Sequence, residues 1–209
     1  TYSGDTTNGF IITNSYAGEK LPHTGQYWWP IVIIAIAGDL FDSNKIESRF
    51  FEAVFKKIAA NPQIKVIFAA GNDAISNGAP ASYSEVIAVG SVARDGSKST
   101  FSNYGDWVDI CAPGSGILST FPGNKYEAIS GTSMACPHVS GVVALGLAYG
   151  KRLGKTFTRE DFTSMLLSSV NDIDSRLGSG YKLYAAGADD GSRPYSSYQY
   201  NMGTGTIEA

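Results

Sequence analysis

The chain has 209 residues, of which 43% are hydrophobic, and a formal net charge of −3 at pH 7. This length and composition fit one α/β domain with a sizeable core, or most of one. Only 17% of the residues are charged and no basic run occurs, so a nucleic-acid partner or a membrane-surface role has little support.

Apolar, β-branched segments predict several strands. The clearest is Ile64–Ala70, a short apolar run that ends at Gly71, as is typical of a buried parallel strand. The apolar run Pro30–Gly38 is too short to span a bilayer and lacks the basic flank of a signal peptide. The other predicted strands are Gly9–Tyr16, Val86–Val92, Trp107–Cys111 and Gly116–Thr120.

Three segments predict helices. Ser43–Ala60 repeats apolar side chains on one helical face, whereas Ser133–Tyr149 is apolar nearly all round and should form a buried central helix. Thr158–Val170 begins with a Thr-Arg-Glu-Asp capping pattern. Helices that alternate with apolar strands predict an α/β fold, a mostly parallel sheet with helices on both faces, whose ligands lie beyond the carboxyl ends of the strands.

Ser133 follows a Gly-Thr turn at the beginning of the second predicted helix. The N–H groups at a helix start have no intrahelical acceptor and a partial positive charge. If the Ser133 oxygen attacked a carbonyl, the oxyanion would form close to such donors. The competing interpretation is that Ser133 only caps the helix, and the Gly-Thr-Ser triplet by itself favours the cap.

The longer segment STFPGNKYEAISGTSMACPHVSGVVAL (residues 119–145) resembles the nucleophile segment of the subtilisin-like serine proteases, the subtilases. FAAGNDA (residues 68–74) resembles their oxyanion-asparagine segment, and the closing NMGTGTIEA their last turn. Matches of this length are far more specific than a short motif. The resemblance implies a subtilisin-like fold, incomplete at its N-terminus, with residues 1–209 as the C-terminal part of one catalytic domain.

The resemblance also implies site residues. Ser133 takes the place of the nucleophile, and Asn72 that of the side-chain amide donor of the oxyanion hole, although an Asn-Asp pair after a glycine is also good turn chemistry. Ala70 and Gly71 would then form a wall of the pocket for the residue that precedes the cleaved bond. Their small size would leave room there for a large apolar side chain.

A nucleophilic serine needs a base, usually a histidine that an acid orients. His138 lies five residues after Ser133 on the same predicted helix, about 140° round the axis, and therefore faces away. His23 and Asp5 give the order Asp, His, Ser, but their contexts do not resemble the family's D-[ST]-G and H-G-T motifs. We therefore expect the acid and the base upstream of Thr1.

Two registers are open for the N-terminal part. In the preferred register, GFIITNSYAG (residues 9–18) resembles the family's strand whose Ser-x-Gly-Gly end lines the substrate cleft. Tyr16 would then line the cleft, and Glu19–Ser43 would be an insertion. The alternative register places IVIIAIAGD (residues 31–39) at that strand with almost no insertion.

Cofactors and location are less constrained. Cys111 and Cys136 lie in apolar contexts, which favours two buried thiols over one disulfide bond. No cofactor is evident, and calcium is implied by the family resemblance alone, because no carboxylate cluster has ligand spacing. The resemblance also implies a secreted or cell-envelope protein.

Three functions compete. The leading hypothesis is a serine endopeptidase that cleaves protein or peptide substrates through an acyl-enzyme on Ser133, with the N-terminal half of the same protein, or a second copy of the chain, covering an exposed face. An α/β-hydrolase is excluded because its acid and its histidine follow the serine in sequence. The only histidine after Ser133 is His138, which faces away from it. The third is an inactive subtilase-fold protein that binds peptides or proteins, which the intact Ser133 and Asn72 disfavour.

Overall fold

A five-stranded sheet organises the chain in this computed structural model, which describes residues 10–11, 32–36, 64–76, 78, 80–177, 181–183, 192–194 and 198–207. In spatial order its strands are β1 (Phe10–Ile11), β2 (Val32–Ile36), β3 (Ile64–Ala69), β4 (Val86–Val92) and β5 (Ile110–Pro113). Strands β2 to β5 are parallel, and β1 pairs antiparallel with β2. The predicted α/β class with a mostly parallel sheet is confirmed.

Two small antiparallel pairs stand apart from this sheet. The first is a hairpin of β6 (Ile117–Phe121) and β7 (Lys125–Ile129), which sequence reasoning predicted only as a single strand over Gly116–Thr120. The second pairs β8 (Tyr181–Leu183) with β9 (Ser192–Pro194).

Two α-helices follow the hairpin. Helix α1 spans Thr132–Arg152 and helix α2 spans Arg159–Ser168, and a 3₁₀ turn covers Asp174–Arg176. Thr158 is the N-cap of α2, as predicted, because its side-chain oxygen accepts a hydrogen bond from Asp161 N at 3.1 Å. The helix predicted over residues 43–60 lies outside the described residues.

The core follows from the alternation of side chains along the strands. Ile67, Ile87 and Val89 point to the face on which α1 and α2 pack, through Val139 and Phe162 among others. A second cluster lies on the opposite face of the sheet, with side chains from the loops before and after β4. Its members are Val66, Phe68, Ala81, Val86 and Ala88, with Tyr83 and Trp107 at its margin.

Helix α1 is buried on one side only. Ala135, Cys136 and Val139 are fully buried, but Leu145 and Tyr149 expose 73% and 55% of their surface. The prediction of a helix covered all round is therefore wrong for this chain. Its outward face is an apolar surface that the described residues leave uncovered.

Strand β1 contradicts the preferred N-terminal register. Of the strand predicted over Gly9–Tyr16, the structure describes Phe10–Ile11, which pairs antiparallel at the edge of the sheet. The parallel neighbour of β3 is instead β2, with Val32 opposite Ile64 and Ile36 opposite Phe68. This pairing agrees with the alternative register, because a strand followed by a crossover to its neighbour must be parallel to it.

Candidate active site

Asn72 and Ser133 lie at the same end of the parallel sheet. Asn72 comes three residues after the last residue of β3, and Ser133 is the second residue of α1. Carboxyl ends of parallel strands and the amino ends of the helices that pack on them commonly form binding sites. The two predicted site residues, 61 positions apart in sequence, are therefore brought to one place.

Thr132 connects the two segments. Its backbone N–H and its hydroxyl both donate to Asn72 Oδ1, at 2.8 and 2.9 Å, and its hydroxyl accepts from Gly71 N at 3.1 Å. Thr132 is fully buried, whereas Asn72 is exposed. Because Oδ1 accepts both bonds from Thr132, the Nδ2 amino group of Asn72 is the end of the amide that faces away from Thr132.

The donor groups of Asn72 and Ser133 converge beside Gly131. The point at which a Cβ atom on Gly131 would stand lies 3.7 Å from Asn72 Nδ2 and 3.7 Å from Ser133 N. Helix geometry leaves the N–H of Ser133 without an intrahelical acceptor. Met134 Sδ lies 3.6 Å from the same point, so the two nitrogens and this sulfur border one small space beside Gly131.

Ser133 does not cap α1. The N-cap residue is Gly131, which makes no side-chain cap, and Ser133 already has its place inside the first turn. The Ser133 side chain is half-buried. The interpretation of Ser133 as an N-cap is therefore wrong, which leaves its hydroxyl available for another role.

His138, predicted to point away from Ser133, makes a contact within its own helix. Its Nδ1 atom lies 2.7 Å from Met134 O, one turn back along α1. A ring nitrogen next to a carbonyl oxygen must carry the proton and donate it, which fixes the tautomer. His138 is the single histidine among the described residues, which therefore supply Ser133 with no histidine base.

The predicted substrate wall lies directly before Asn72. Ala70 is buried and Gly71 is half-buried, with φ of +103° at Gly71, a left-handed conformation that favours glycine. Tyr16, the other predicted cleft residue, lies outside the described residues, as do His23 and Asp5.

The charged groups with perturbed pKa values lie at the opposite end of the sheet. A cavity of about 710 Å³ there is lined by Lys65, Glu85, Arg159 and Glu160, together with hydroxyl side chains of α2. Burial lowers the pKa of Lys65 and raises that of Asp109, which precedes β5. The residues that line this cavity include neither Asn72 nor Ser133.

The two cysteines are free buried thiols, as predicted. Cys111 Sγ donates to Met202 O at 3.0 Å, and burial raises the pKa of the Cys111 thiol far above its usual value. Cys136, three residues after Ser133, lies with its sulfur 3.7 Å from Ile67 O. The Cys111 thiol is not poised as a nucleophile, because the thiolate is the reactive form and burial disfavours it.

The described residues contain no group of three histidine, cysteine or acidic side chains that could hold a metal ion. None of the helices among them has the length and hydropathy needed to cross a bilayer.

A family model described as "Subtilase family" matches residues 12–199. The chain belongs to the subtilase family. Over 87 residues, this subtilase is 53% identical to the thermophilic serine proteinase of Bacillus sp. (strain AK1). The aligned stretch covers 41% of the chain and 22% of that protein. Over 143 residues it is 38% identical to the major intracellular serine protease of Bacillus subtilis (strain 168), which covers 64% of the chain and 45% of that protein.

A solved structure supports the fold. The self-cleaved protease domain of PatA superposes on this subtilase with a TM-score of 0.57 and 36% sequence identity, over 68% of the chain and 54% of that structure. The matched stretch spans less than half the length of either curated relative named above. Since one of these relatives is intracellular, family membership by itself does not place the protein outside the cell.

Sequence reasoning missed Thr132 as a member of the site. In the sequence, Thr132 stands between Gly131 and the candidate nucleophile Ser133. In the structure it is fully buried at the point where α1 meets the loop after β3. What the sequence did not indicate is that one side chain bonds to both Gly71 and Asn72.

Proposed function

We propose that this subtilase chain is the C-terminal part of the catalytic domain of a serine endopeptidase, with Ser133 as nucleophile and Asn72 as oxyanion donor. The observation on which the proposal rests is that Asn72 Nδ2 and Ser133 N both lie 3.7 Å from the point where a Cβ atom on Gly131 would stand. A pair of N–H donors held beside one position can stabilise the oxyanion of acyl transfer, and we propose that role for these two groups.

In the proposed reaction, Ser133 Oγ bonds to the carbonyl carbon of the scissile peptide while a base takes the hydroxyl proton. The carbonyl oxygen becomes an oxyanion and accepts hydrogen bonds from Ser133 N–H and Asn72 Nδ2–H. Collapse of the intermediate breaks the C–N bond, and the base returns the proton to the leaving amine. Water then cleaves the acyl-enzyme ester and releases the acid product.

The base and the acid are proposed to come from a segment upstream of Thr1. Ser133 has no base among the described residues, and a serine at its free pKa is a weak nucleophile. The β6–β7 hairpin and α1 carry exposed large apolar side chains, with Leu118 and Leu145 exposed by 68% and 73%, and Tyr126 by 73%. Exposed apolar patches mark interaction surfaces, so the N-terminal half is the proposed cover and self-association the alternative.

Protein or peptide chains are the proposed substrates. Ala70 and Gly71 present no bulky side chain beside the donors, which leaves room for a large apolar residue before the cleaved bond. An extended substrate would add backbone hydrogen bonds of its own. Secretion, or a place in the cell envelope, stays a prediction, and no cofactor is part of the proposal.

A second candidate function is peptide or protein binding without catalysis. The observation that favours it is that the histidine within the described residues already engages Met134 O. The two functions differ in one measurable property, namely whether Ser133 forms a covalent bond with a carbonyl or phosphoryl compound.

The test uses the full-length protein that contains this chain, with Ser133→Ala and a matched control, Ser140→Ala. Ser140 lies on the same helix, and its hydroxyl donates to Cys136 O at 2.9 Å, away from the site. Ser133→Ala should lower kcat for peptide hydrolysis by about 10⁶-fold, a magnitude measured for the corresponding change in subtilisin itself. Ser140→Ala should keep activity within about twofold of the wild type, because it touches neither donor.

A fluorophosphonate probe separates the two candidate functions. In the full-length wild type it should label Ser133 rapidly, and in the 209-residue chain alone it should label it slowly or not at all. If the full-length protein neither hydrolyses peptides nor reacts with the probe, the endopeptidase proposal is wrong and binding becomes the function to test. Rapid labelling of the isolated chain would place a base within residues 1–209.

A further inference from the structure

The loop that presents Asn72 has an unfavourable backbone. Gly71 has φ of +103° and Ala74 has φ of 57°, so two residues within four positions adopt left-handed conformations. For an alanine, this conformation costs on the order of 1 kcal/mol or more. Such a loop keeps its shape only where the surrounding structure holds it.

Asn103 holds this loop from one side. Its Oδ1 accepts from Asp73 N at 2.9 Å and from Ile75 N at 3.2 Å, and its Nδ2 donates to Ala70 O at 3.0 Å. Its backbone N–H donates to Gly71 O at 2.9 Å. These bonds reach the chain on both sides of Asn72, and Asn103 itself is only 3% exposed.

The chemistry of the loop calls for an amide at this position. Two backbone N–H groups need an acceptor and one carbonyl needs a donor, all within reach of one short side chain. A carboxylate would supply acceptors only, and a hydroxyl lacks the fork that reaches both sides.

Gly71 complements the amide sterically. A Cβ atom on Gly71 would stand 2.4 Å from Asn103 Nδ2, so the absence of a side chain at 71 is what lets Asn103 approach the backbone. The left-handed Gly71 and the buried Asn103 therefore form one unit.

We propose that Asn103 is a positioning residue for the oxyanion donor: it fixes the backbone on both sides of Asn72, while Thr132 fixes the Asn72 side chain. This inference rests on the proposed function, because it assigns Asn103 an effect on the step that Asn72 stabilises. Asn103 touches no reacting atom and acts through Asn72.

A double-mutant cycle in the full-length protein tests the proposal. Asn103→Ala should lower kcat by about 10–100-fold and leave KM within about twofold, because displacement of an oxyanion donor affects the transition state more than the bound substrate. In an Asn72→Ala background, Asn103→Ala should change kcat by less than about twofold, because the donor on which it acts is already gone. If Asn103→Ala does not fold, Asn103→Ser takes its place in the cycle.

The control variant is Asp109→Ala. Like Asn103, Asp109 accepts a hydrogen bond from a buried backbone N–H, that of Ala88 at 2.7 Å, but it lies at the opposite end of the sheet. It should lower the melting temperature and leave kcat unchanged. Equal losses of kcat from Asn103→Ala in both backgrounds would overturn the proposal, and so would a rise in KM with kcat unchanged, which would make Asn103 a residue of the substrate wall.

A second readout tests the positioning role of Asn103 independently of peptidase activity. In the full-length protein with ¹⁵N-labelled asparagine, the side-chain amide signals of Asn72, assigned through their loss in Asn72→Ala, should shift or broaden in Asn103→Ala and stay in place in Asp109→Ala. If Asn103→Ala leaves these signals unchanged, the positioning role is wrong even in an active enzyme. If they move in a protein without peptidase activity, the endopeptidase proposal fails while Asn103 still positions Asn72.

Discussion

The two ends of the parallel sheet are built from different chemistry. At the carboxyl end, Asn72, Thr132 and Asn103 are neutral side chains, held by hydrogen bonds to one another or to the backbone. At the amino end, Lys65 and Asp109 are charged groups whose pKa values burial shifts in opposite directions. The cavity lined by Lys65 and the charges with perturbed pKa values thus lie together, and the candidate active site lies apart from them.

The contrast between the neutral and the charged end of the sheet bears on how the candidate active site can be recognised. Perturbed titratable groups in a cavity are a useful indicator of catalysis when the catalytic groups themselves titrate. Within the described residues of this subtilase, the site consists of peptide N–H groups, an amide and two hydroxyls. Their signature is geometric instead, and we expect the charged amino end to affect stability and not the proposed reaction.

After Ser133→Ala, the largest effect on the comparison of the two ends is expected from Asn72→Ala at the carboxyl end. In the full-length protein it should lower kcat by about 10²–10³-fold with KM near that of the wild type, because the donor acts on the oxyanion and not on the ground-state carbonyl. That range was measured for the corresponding asparagine of subtilisin, a member of this family. Steady-state kinetics on a peptide substrate measures both constants.

Glu85→Gln is the matched control for Asn72→Ala at the amino end. Glu85 lines the cavity there, and its neutral amide analogue should leave kcat and KM within about twofold of the wild type. If Asn72→Ala instead raised KM and spared kcat, the oxyanion assignment would be wrong and the contrast between the two ends would lose its functional meaning.

A smaller effect is expected from Thr132→Val. Valine keeps the shape and the backbone bond to Asn72 Oδ1 but removes the hydroxyl that donates to Asn72 and accepts from Gly71 N. The lost hydrogen bond should lower kcat by about 3–10-fold, and the unsatisfied Gly71 N–H should lower the free energy of unfolding by about 1–3 kcal/mol. Thr132→Ser, which keeps the hydroxyl, should retain kcat, and equal losses in both variants would contradict the orienting role.

The sheet and the helices were largely predictable from the sequence. Strand β4 has the predicted bounds, and α2 begins after the predicted cap Thr158, because these signals are local. Strand β5 begins at Ile110, three residues later than predicted, because Trp107 packs against the cluster on the sheet's other face instead of joining the ladder. The hairpin partner β7 was missed although Lys125–Ile129 alternates polar Lys125 and Glu127 with apolar Tyr126 and Ala128.

The candidate site was predictable only in part. Ser133 and Asn72 were found from long matches to a family, and the structure brings their segments together through Thr132. Asn103 gave no signal in the sequence, because its partners lie about 30 residues earlier and are backbone atoms. The N-terminal register was wrong because two apolar segments competed for one strand, and strand pairing, which the sequence does not state, favours Val32–Ile36.

The smallest expected effect concerns the amino end and the pH dependence of stability. Burial raises the pKa of Asp109 above its ordinary value of 3.8, against the opposing hydrogen bond from Ala88 N and the charge of Lys65. A folded-state pKa above the unfolded one means that the carboxyl's contribution is fully present below the unfolded pKa and is lost as pH rises through the folded pKa. The free energy of unfolding of the wild type, relative to Asp109→Asn, should therefore fall as pH rises from below 3.8 and level off once Asp109 is ionised. Urea unfolding at a series of pH values measures this difference.

The exposed Glu160 has a pKa lowered by hydrogen bonds from its own backbone and from Arg159, so the same comparison with Glu160→Gln should run in the opposite direction. A flat profile for Asp109→Asn would mean that this carboxylate is as well solvated in the folded protein as in the unfolded chain, and the two ends of the sheet would then differ less than their geometry implies.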